Sequence, residues 1–231
     1  MPAVSECCHT PDGGDETMNV TILSGPNHGF DKSAEVIRQF LSEQDDFNVT
    51  HTDDKEILVS DSLESCDVLV FGTGFTRSVR QPDETVQRLP DLTSEMENGL
   101  YSFVSSGKGL VGIHGTAWWI GGKAFDLIGG ASNWHPPGLS FTVNIDDTEH
   151  PATKGLADFE VEDEIYISAH EPTLHVLATA EWHGKAHPMA WVKSFGAGRV
   201  FYTTLGHGPG TFARPPMQAL VCQGVRWAGT P

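Results

Sequence analysis

The sequence predicts an α/β protein built on a mainly parallel sheet. Three observations carry this. From Met18 onward, short β-branched runs alternate with stretches of helical periodicity. Residues 67–73 (DVLVFGT) and 109–114 (GLVGIH) are continuously apolar, as strands buried on both faces are. The runs end in Gly-, Pro- or His-bearing turns, the punctuation of βα units.

Each element follows from its residues. Residues 19–24 (NVTILS) form a first strand that stops at Gly25-Pro26. Residues 31–44 place Ala34, Ile37, Phe40 and Leu41 on one helical face. Residues 47–52 and 67–73 are the second and third strands. Residues 75–90 are polar and contain proline, so a loop is expected there. In residues 91–106, Leu92, Met96, Leu100 and Phe103 share a face, and Gly107 supplies the C-terminal stop. Residues 109–114 are the fourth buried strand. The second half reads as richer in strand, with extended runs at 140–145, 160–161, 175–180, 189–192 and 199–204. Pro215-Pro216 then opens a last helix that turns Met217, Leu220, Val221 and Gly224 inward. Residues 1–17 read as a disordered tail and residues 18–231 as one domain. On this pattern Met18 is as good a start as Met1.

Composition narrows the function. The chain carries 31 Asp+Glu against 14 Lys+Arg, a formal charge of −17. That disfavours nucleic acid and anionic membrane surfaces as partners. A hydrophobic fraction of 39% with six Trp and twelve Phe is enough for a real core. No stretch reaches the roughly 18 apolar residues of a membrane span. The N-terminus is acidic and lacks an apolar signal core, so cytoplasmic localisation is expected. Cys7, Cys8, Cys66 and Cys222 offer no disulfide framework. The charge is uneven. Residues 1–97 hold 20 acidic and 6 basic side chains, and residues 98–231 hold 11 and 8 together with eight of the eleven histidines. The acidity therefore belongs to the scaffold, and it resembles that of proteins from salty cytoplasms. Resistance to unfolding should rise with KCl; a denaturation midpoint that stays flat or falls with salt would remove this reading.

In parallel sheets, ligands gather beyond the carboxyl ends of the strands. Three histidines fall there: His28 in GPNHGF, His114 in GIHGT and His207 in TLGHGPG. The strand–His–Gly–helix junction at His114 has the form of a nucleophile elbow, which lifts one side chain onto a helix start. The helix dipole there favours a neutral imidazole, fit to act as base, hydrogen-bond partner or metal ligand. Trp118-Trp119 follows at once, and one indole could form a platform for a sugar ring. No G-x-G-x-x-G follows the first strand and no P-loop is present, so neither NAD nor a nucleotide is expected.

The segments GLVGIHGTAWW, FDLIGGASNWHPPG, TEHPATKGL, VEDEIYIS and HPMAWVKSFGAGRVFYTTLGHG follow one another as in ThuA-like (trehalose-utilization) proteins, and the likeness runs from about Met18 to Ala228. The resemblance implies a flavodoxin-like three-layer fold related to class I glutamine amidotransferases. It also implies a role in the metabolism of trehalose or related disaccharides, including 3-keto sugars. It leaves room for a divalent metal ion among histidines, with the ligands unassigned. The matching positions give His114, Glu164 and His207 as catalytic candidates, and His135, Tyr166 and His187 as substrate-binding ones; His28 is a looser match, and Trp118 joins on its own chemistry. The amidotransferase elbow carries a cysteine where this chain has His114, so glutamine hydrolysis through a thioester is not expected. The resulting expectation is acid/base chemistry on a small sugar, in a chain that could form a homo-oligomer. The alternative is a non-catalytic sugar- or metal-binding module on the same scaffold.

Overall fold

The structure, a computed structural model, describes residues 17–25, 29–72, 75–118 and 123–230. The first half runs β1 (Met18–Ser24), α1 (Phe30–Ser42), β2 (Phe47–Thr52), β3 (Val68–Gly72), β4 (Thr76–Arg80), β5 (Val86–Pro90), α2 (Ser94–Ser105), β6 (Gly109–Ile113) and α3 (Lys123–Ile128). The second runs β7 (Gly130–Trp134), β8 (Leu139–Ile145), β9 (Phe159–Asp163), β10 (Ile167–His170), β11 (His175–Trp182), β12 (Lys185–Phe195), β13 (Gly198–Thr203), α4 (Pro209–Phe212) and α5 (Pro215–Gly229). The expected tail falls almost wholly outside the described residues.

Nine strands form the main sheet in the order β2-β1-β3-β6-β13-β12-β11-β8-β9. The first five are mutually parallel, and taken alone they follow the 2-1-3-4-5 order of flavodoxin-like folds. The last four are antiparallel; consecutive hairpins join β8 to β9 and β11 through β12 to β13, while β8 meets β11 with β9 and β10 intervening in the chain. Apolar side chains of the sheet alternate between two cores. On one face Val20, Ile22, Val111 and Ile113 meet α1 through Ile37 and Leu41, and α5 through Leu220 and Val225. On the other, Leu69, Phe71 and Leu110 meet α2 through Leu100 and Val104. Burying each such Leu or Ile contributes about 1.5–3 kcal/mol, so the sheet is clamped from both sides into three layers. Thr93 starts α2 by accepting the Met96 backbone N–H at 3.2 Å, with Glu95 and Glu97 in the favourable first turn.

Two features depart from the sequence reading. Residues 75–90 are not a loop but the β4–β5 hairpin, paired only with itself and closed by Asp91 N–H to the Phe75 carbonyl at 2.7 Å. Its polar side chains are what a ribbon with no sheet behind it carries. The second is the β7–β10 ribbon, which joins GASNW to ISAH. Those runs hold few β-branched residues and give little strand signal.

One connection decides where the site forms. β8 meets β11 through only two residue pairs, Ala178 with Ile145 and Thr179 with Asn144. The β8–β9 hairpin is thus loosely joined to the sheet, and its end at Asp163 reaches Gly206 and, in α4, Thr211. There Phe141, Val143, Phe159 and Val161 share a core with Phe212 and Met217. Among the described residues, no helix is long and apolar enough to cross a membrane.

Candidate functional site

β6 ends at Ile113, and the chain then turns sharply. His114 has φ 43°, a left-handed conformation that a non-glycine residue adopts only when its surroundings enforce it. The enforcing contacts are visible. Thr116 Oγ1 donates to the Phe71 and Ile113 carbonyls at 2.7 and 3.0 Å, and the Tyr202 hydroxyl donates to the His114 carbonyl at 2.7 Å. The imidazole is thereby fixed, 1% exposed, at the carboxyl edge of the parallel strands.

Its Nδ1 lies 2.6 Å from the Thr204 carbonyl oxygen. A carbonyl only accepts, so Nδ1 donates and the neutral ring carries its lone pair on Nε2. Nε2 receives the Tyr166 hydroxyl at 2.8 Å. His135 repeats the arrangement, with Nδ1 at 2.8 Å from the Pro136 carbonyl and its ring stacked 5.5 Å from that of Tyr166.

Glu164 is the common partner. Its Oε2 lies 3.4 Å from His114 Nε2, 3.3 Å from His135 Nε2 and 3.2 Å from His207 Nδ1. Oε2 is nevertheless buried with no aligned hydrogen bond. Burial pushes the Glu164 carboxyl up. The close approach of His114 and the charges His114, His207 and His135 can carry outweigh it and hold the group below the ordinary glutamate range.

His207 reaches the cluster from the loop after β13, with its ring 5.4 Å from that of His114 and its side chain 51% exposed. Asp163 sets that loop. It is 3% exposed, and its oxygens accept from Gly206 N–H at 2.8 Å, His207 N–H at 3.3 Å, Thr211 Oγ1 at 2.6 Å and Glu164 N–H at 2.8 Å. Gly206 must be glycine: at φ +121° an added Cβ would stand 2.6 Å from the Phe212 ring. Beside the cluster a cavity of about 340 Å³ opens between Gly138, Glu164, His207, Thr211 and Arg214. This is the size range of small-molecule sites.

The arrangement suits a cation. His135, whose Nδ1 proton goes to a backbone carbonyl, leaves an Nε2 lone pair 3.3 Å from the Glu164 carboxylate oxygen, which is repulsive unless a positive charge lies between them. The Nε2 lone pair of His114 is taken by the Tyr166 hydroxyl and would be exchanged for the ion on binding. Anchoring the remote nitrogen on a carbonyl is also how metal-binding histidines are oriented. The ligand atoms of His114, Glu164 and His207 all lie within 4.8 Å of one another. Donors bound about 2.0–2.2 Å from one ion sit roughly 3.0–3.5 Å apart, the spacing found around Oε2.

The structure thus gathers His114, His135, Glu164, Tyr166 and His207. It places His187 elsewhere, on β12 against Trp182 at 6.2 Å between ring centroids, where burial pushes the imidazole down. His28 lies outside the described residues, as does the side chain of Trp118. Asp163 was not among the residues expected from sequence. The signal was available: Phe159, Val161 and Asp163 are the buried positions of an alternating strand.

Comparison with known proteins now adds to the geometry. A family model described as ThuA, trehalose utilisation, matches residues 19–228. Among solved structures, a ThuA-like protein from Bacteroides uniformis is 19% identical with a TM-score of 0.74, covering 96% of this chain and 95% of that one. A ThuA-like protein from Parabacteroides merdae is 20% identical at a TM-score of 0.71, covering 94% and 91%. A β-galactosidase from Bacillus circulans aligns at 13% identity and a TM-score of 0.64, over 93% of this chain but 31% of the enzyme. The curated proteins return no match.

Proposed function

The chain belongs to the ThuA family, whose described role is trehalose utilisation, and on that footing we propose that it is a sugar-processing enzyme with a metal-assisted acid/base site. The observation that carries this is the buried Glu164 Oε2, ringed by three imidazole nitrogens at 3.2–3.4 Å with no hydrogen bond of its own. His114, Glu164 and His207 would hold a divalent ion, with His135 as a fourth donor. An imidazole-rich set with one carboxylate suits Zn, Cu, Fe or Ni better than Mg or Ca. Bound there, such an ion would supply Lewis acidity toward a sugar carbonyl.

The chain's own groups fit elimination from a 3-keto sugar. The Glu164 carboxyl, held below the ordinary range, is ionised at neutral pH, and its base role rests on position rather than on basicity. Oε2 is the atom the nitrogens share, so Oε1 is left to take the proton from the carbon beside the carbonyl. That C–H pair forms the new C=C bond as the glycosidic C–O bond breaks. Solvent at the cavity mouth, beside the half-exposed His207, would return a proton to the departing oxygen. No external oxidant is needed, because the substrate arrives oxidised. Tyr166 holds His114 in orientation.

The test is metal analysis with thermal unfolding, followed by turnover of 3-keto-trehalose. About one ion per chain is expected. Saturating Zn²⁺ or Ni²⁺ should stabilise by about 2–3 kcal/mol at a hundredfold excess over Kd, a rise of roughly 5–10 °C for a domain this size. An unfolding temperature indifferent to both ions would end the metal reading. Metal binding without turnover would leave the non-catalytic module.

A further inference from the structure

Trp134 is the large aromatic side chain most out of place on this surface. It is 50% exposed, where the core has buried nearly every other large apolar group described. It is also the residue immediately before His135, and so begins one residue from the metal-type cluster. Its ring lies 5.7 Å from that of Trp182 at an interplanar angle of 49°.

Trp182 ends β11, opposite Lys185 at the start of β12. β12 is antiparallel to β13 and pairs Ala190 with Thr203, the last residue of that strand. The Trp182–Lys185 end of the hairpin therefore overhangs the carboxyl edge where the cluster lies. Trp182 is fixed there. It packs on the core, and the rings of His183 and His187 stand at 4.2 and 6.2 Å from it. The exposed indole thus rests on a rigid support, so a ligand that stacks on it orders little that is not ordered already. Gly138, at the other end of the Trp134–Gly138 segment, lines the 340 Å³ cavity. One short segment joins an aromatic shelf to a polar cavity.

We propose that Trp134, braced by Trp182, is a second sugar subsite: it stacks the non-reacting ring of a disaccharide while the reacting ring occupies the cavity beside Glu164. An indole offers a broad apolar face to the C–H side of a pyranose and leaves its hydroxyls in water. A charged ligand is not favoured, because no cation of the described residues is placed on the shelf beyond Lys185 at its rim. This deepens the sugar-processing reading and rests on it for the second ring's position. Binding at the shelf is nevertheless measurable without turnover.

The experiment is calorimetric titration of trehalose, 3-keto-trehalose and glucose into the wild type, Trp134→Ala and Trp134→Phe. At least one disaccharide should bind the wild type about tenfold or more tightly than glucose, a difference of about 1.4 kcal/mol. Trp134→Ala should remove that advantage and leave glucose unchanged, and Trp134→Phe should restore most of it. Equal affinity for disaccharide and glucose, no binding of either disaccharide, or an alanine variant that binds disaccharide as well as wild type would each overturn the subsite. So would a change in oligomeric state of Trp134→Ala with sugar binding intact, which would make the shelf a subunit contact. Failure of the metal and turnover assays with Trp134-dependent disaccharide binding would discard the chemistry and keep the subsite.

Discussion

Replacing Asp163 with alanine is expected to destabilise the protein by about 3–5 kcal/mol, the range for removing one partner of a buried charged contact. The side chain satisfies two N–H groups of the Gly206–His207 turn, the Thr211 hydroxyl and the Glu164 N–H. Each buried donor left unmet costs about 1–3 kcal/mol, less where water enters. Asparagine keeps the shape but turns one acceptor into a donor facing donors, so it should recover only part of the loss. In thermal unfolding, alanine should lower the midpoint by roughly 10 °C. The loss should come with weaker metal binding, because the same turn delivers His207. A midpoint within about 2 °C of wild type would mean that Asp163 does not organise the turn.

The second large effect is at Glu164. Glu164→Gln is nearly isosteric, but it removes the charge that three imidazoles face. Zn²⁺ affinity should fall by at least about a hundredfold, since a direct ligand matters at least as much as the outer partners whose loss costs 10–100-fold. The stabilisation given by the metal should vanish while the circular dichroism spectrum stays unchanged. Sugar elimination should fall with it. The pH dependence has a definite sign. Protons compete for the same nitrogens and for the carboxylate, so wild-type metal affinity must weaken as pH falls. The variant should show a shallower dependence, having one proton-binding ligand fewer. Unaltered metal binding by Glu164→Gln would place the ion elsewhere.

The fold was legible where periodicity was clean. The parallel strands around 67–73 and 109–114 are unbroken apolar runs, and helices α1 and α2 show one apolar stripe each; all four lie where the residues put them. The β4–β5 ribbon was not legible because it has no core behind it to impose an alternating pattern, and the β7–β10 ribbon because its runs are made of small and polar residues with little strand signal, although it packs on Trp191 through Gly130. The candidate site was legible in part. His114 and His207 could be expected together because both end parallel strands beyond one sheet edge. Nothing local could say that residues 163 and 164 meet them. Their strand lies at the far edge of the sheet, and the β8–β9 hairpin, joined to β11 by only two residue pairs, carries them to the Gly206–Thr211 turn. The inward turn of Asp163 was written in the alternation of FEVED, but a run of four carboxylates reads first as a solvated face. His187 illustrates the reverse. The resemblance offered it as a substrate-binding position, yet on β12 its ring stands against Trp182.

That loose joint has a kinetic consequence. The site draws on residues 114, 135, 164 and 207, so its loops close over several tens of residues each, and the closures that order Glu164 need the hairpin docked against α4. Such long-range contacts form late, after the local βα units of the first half. A chain emerging from the ribosome would hold the four parallel strands β2-β1-β3-β6 and an exposed His114 elbow well before it could grip an ion, while β13, the fifth, arrives only just ahead of His207. The native cluster is therefore a marker of completed folding. In a refolding time course, recovery of metal binding should trail the return of helical and strand signal, with the delay set by the docking of one hairpin.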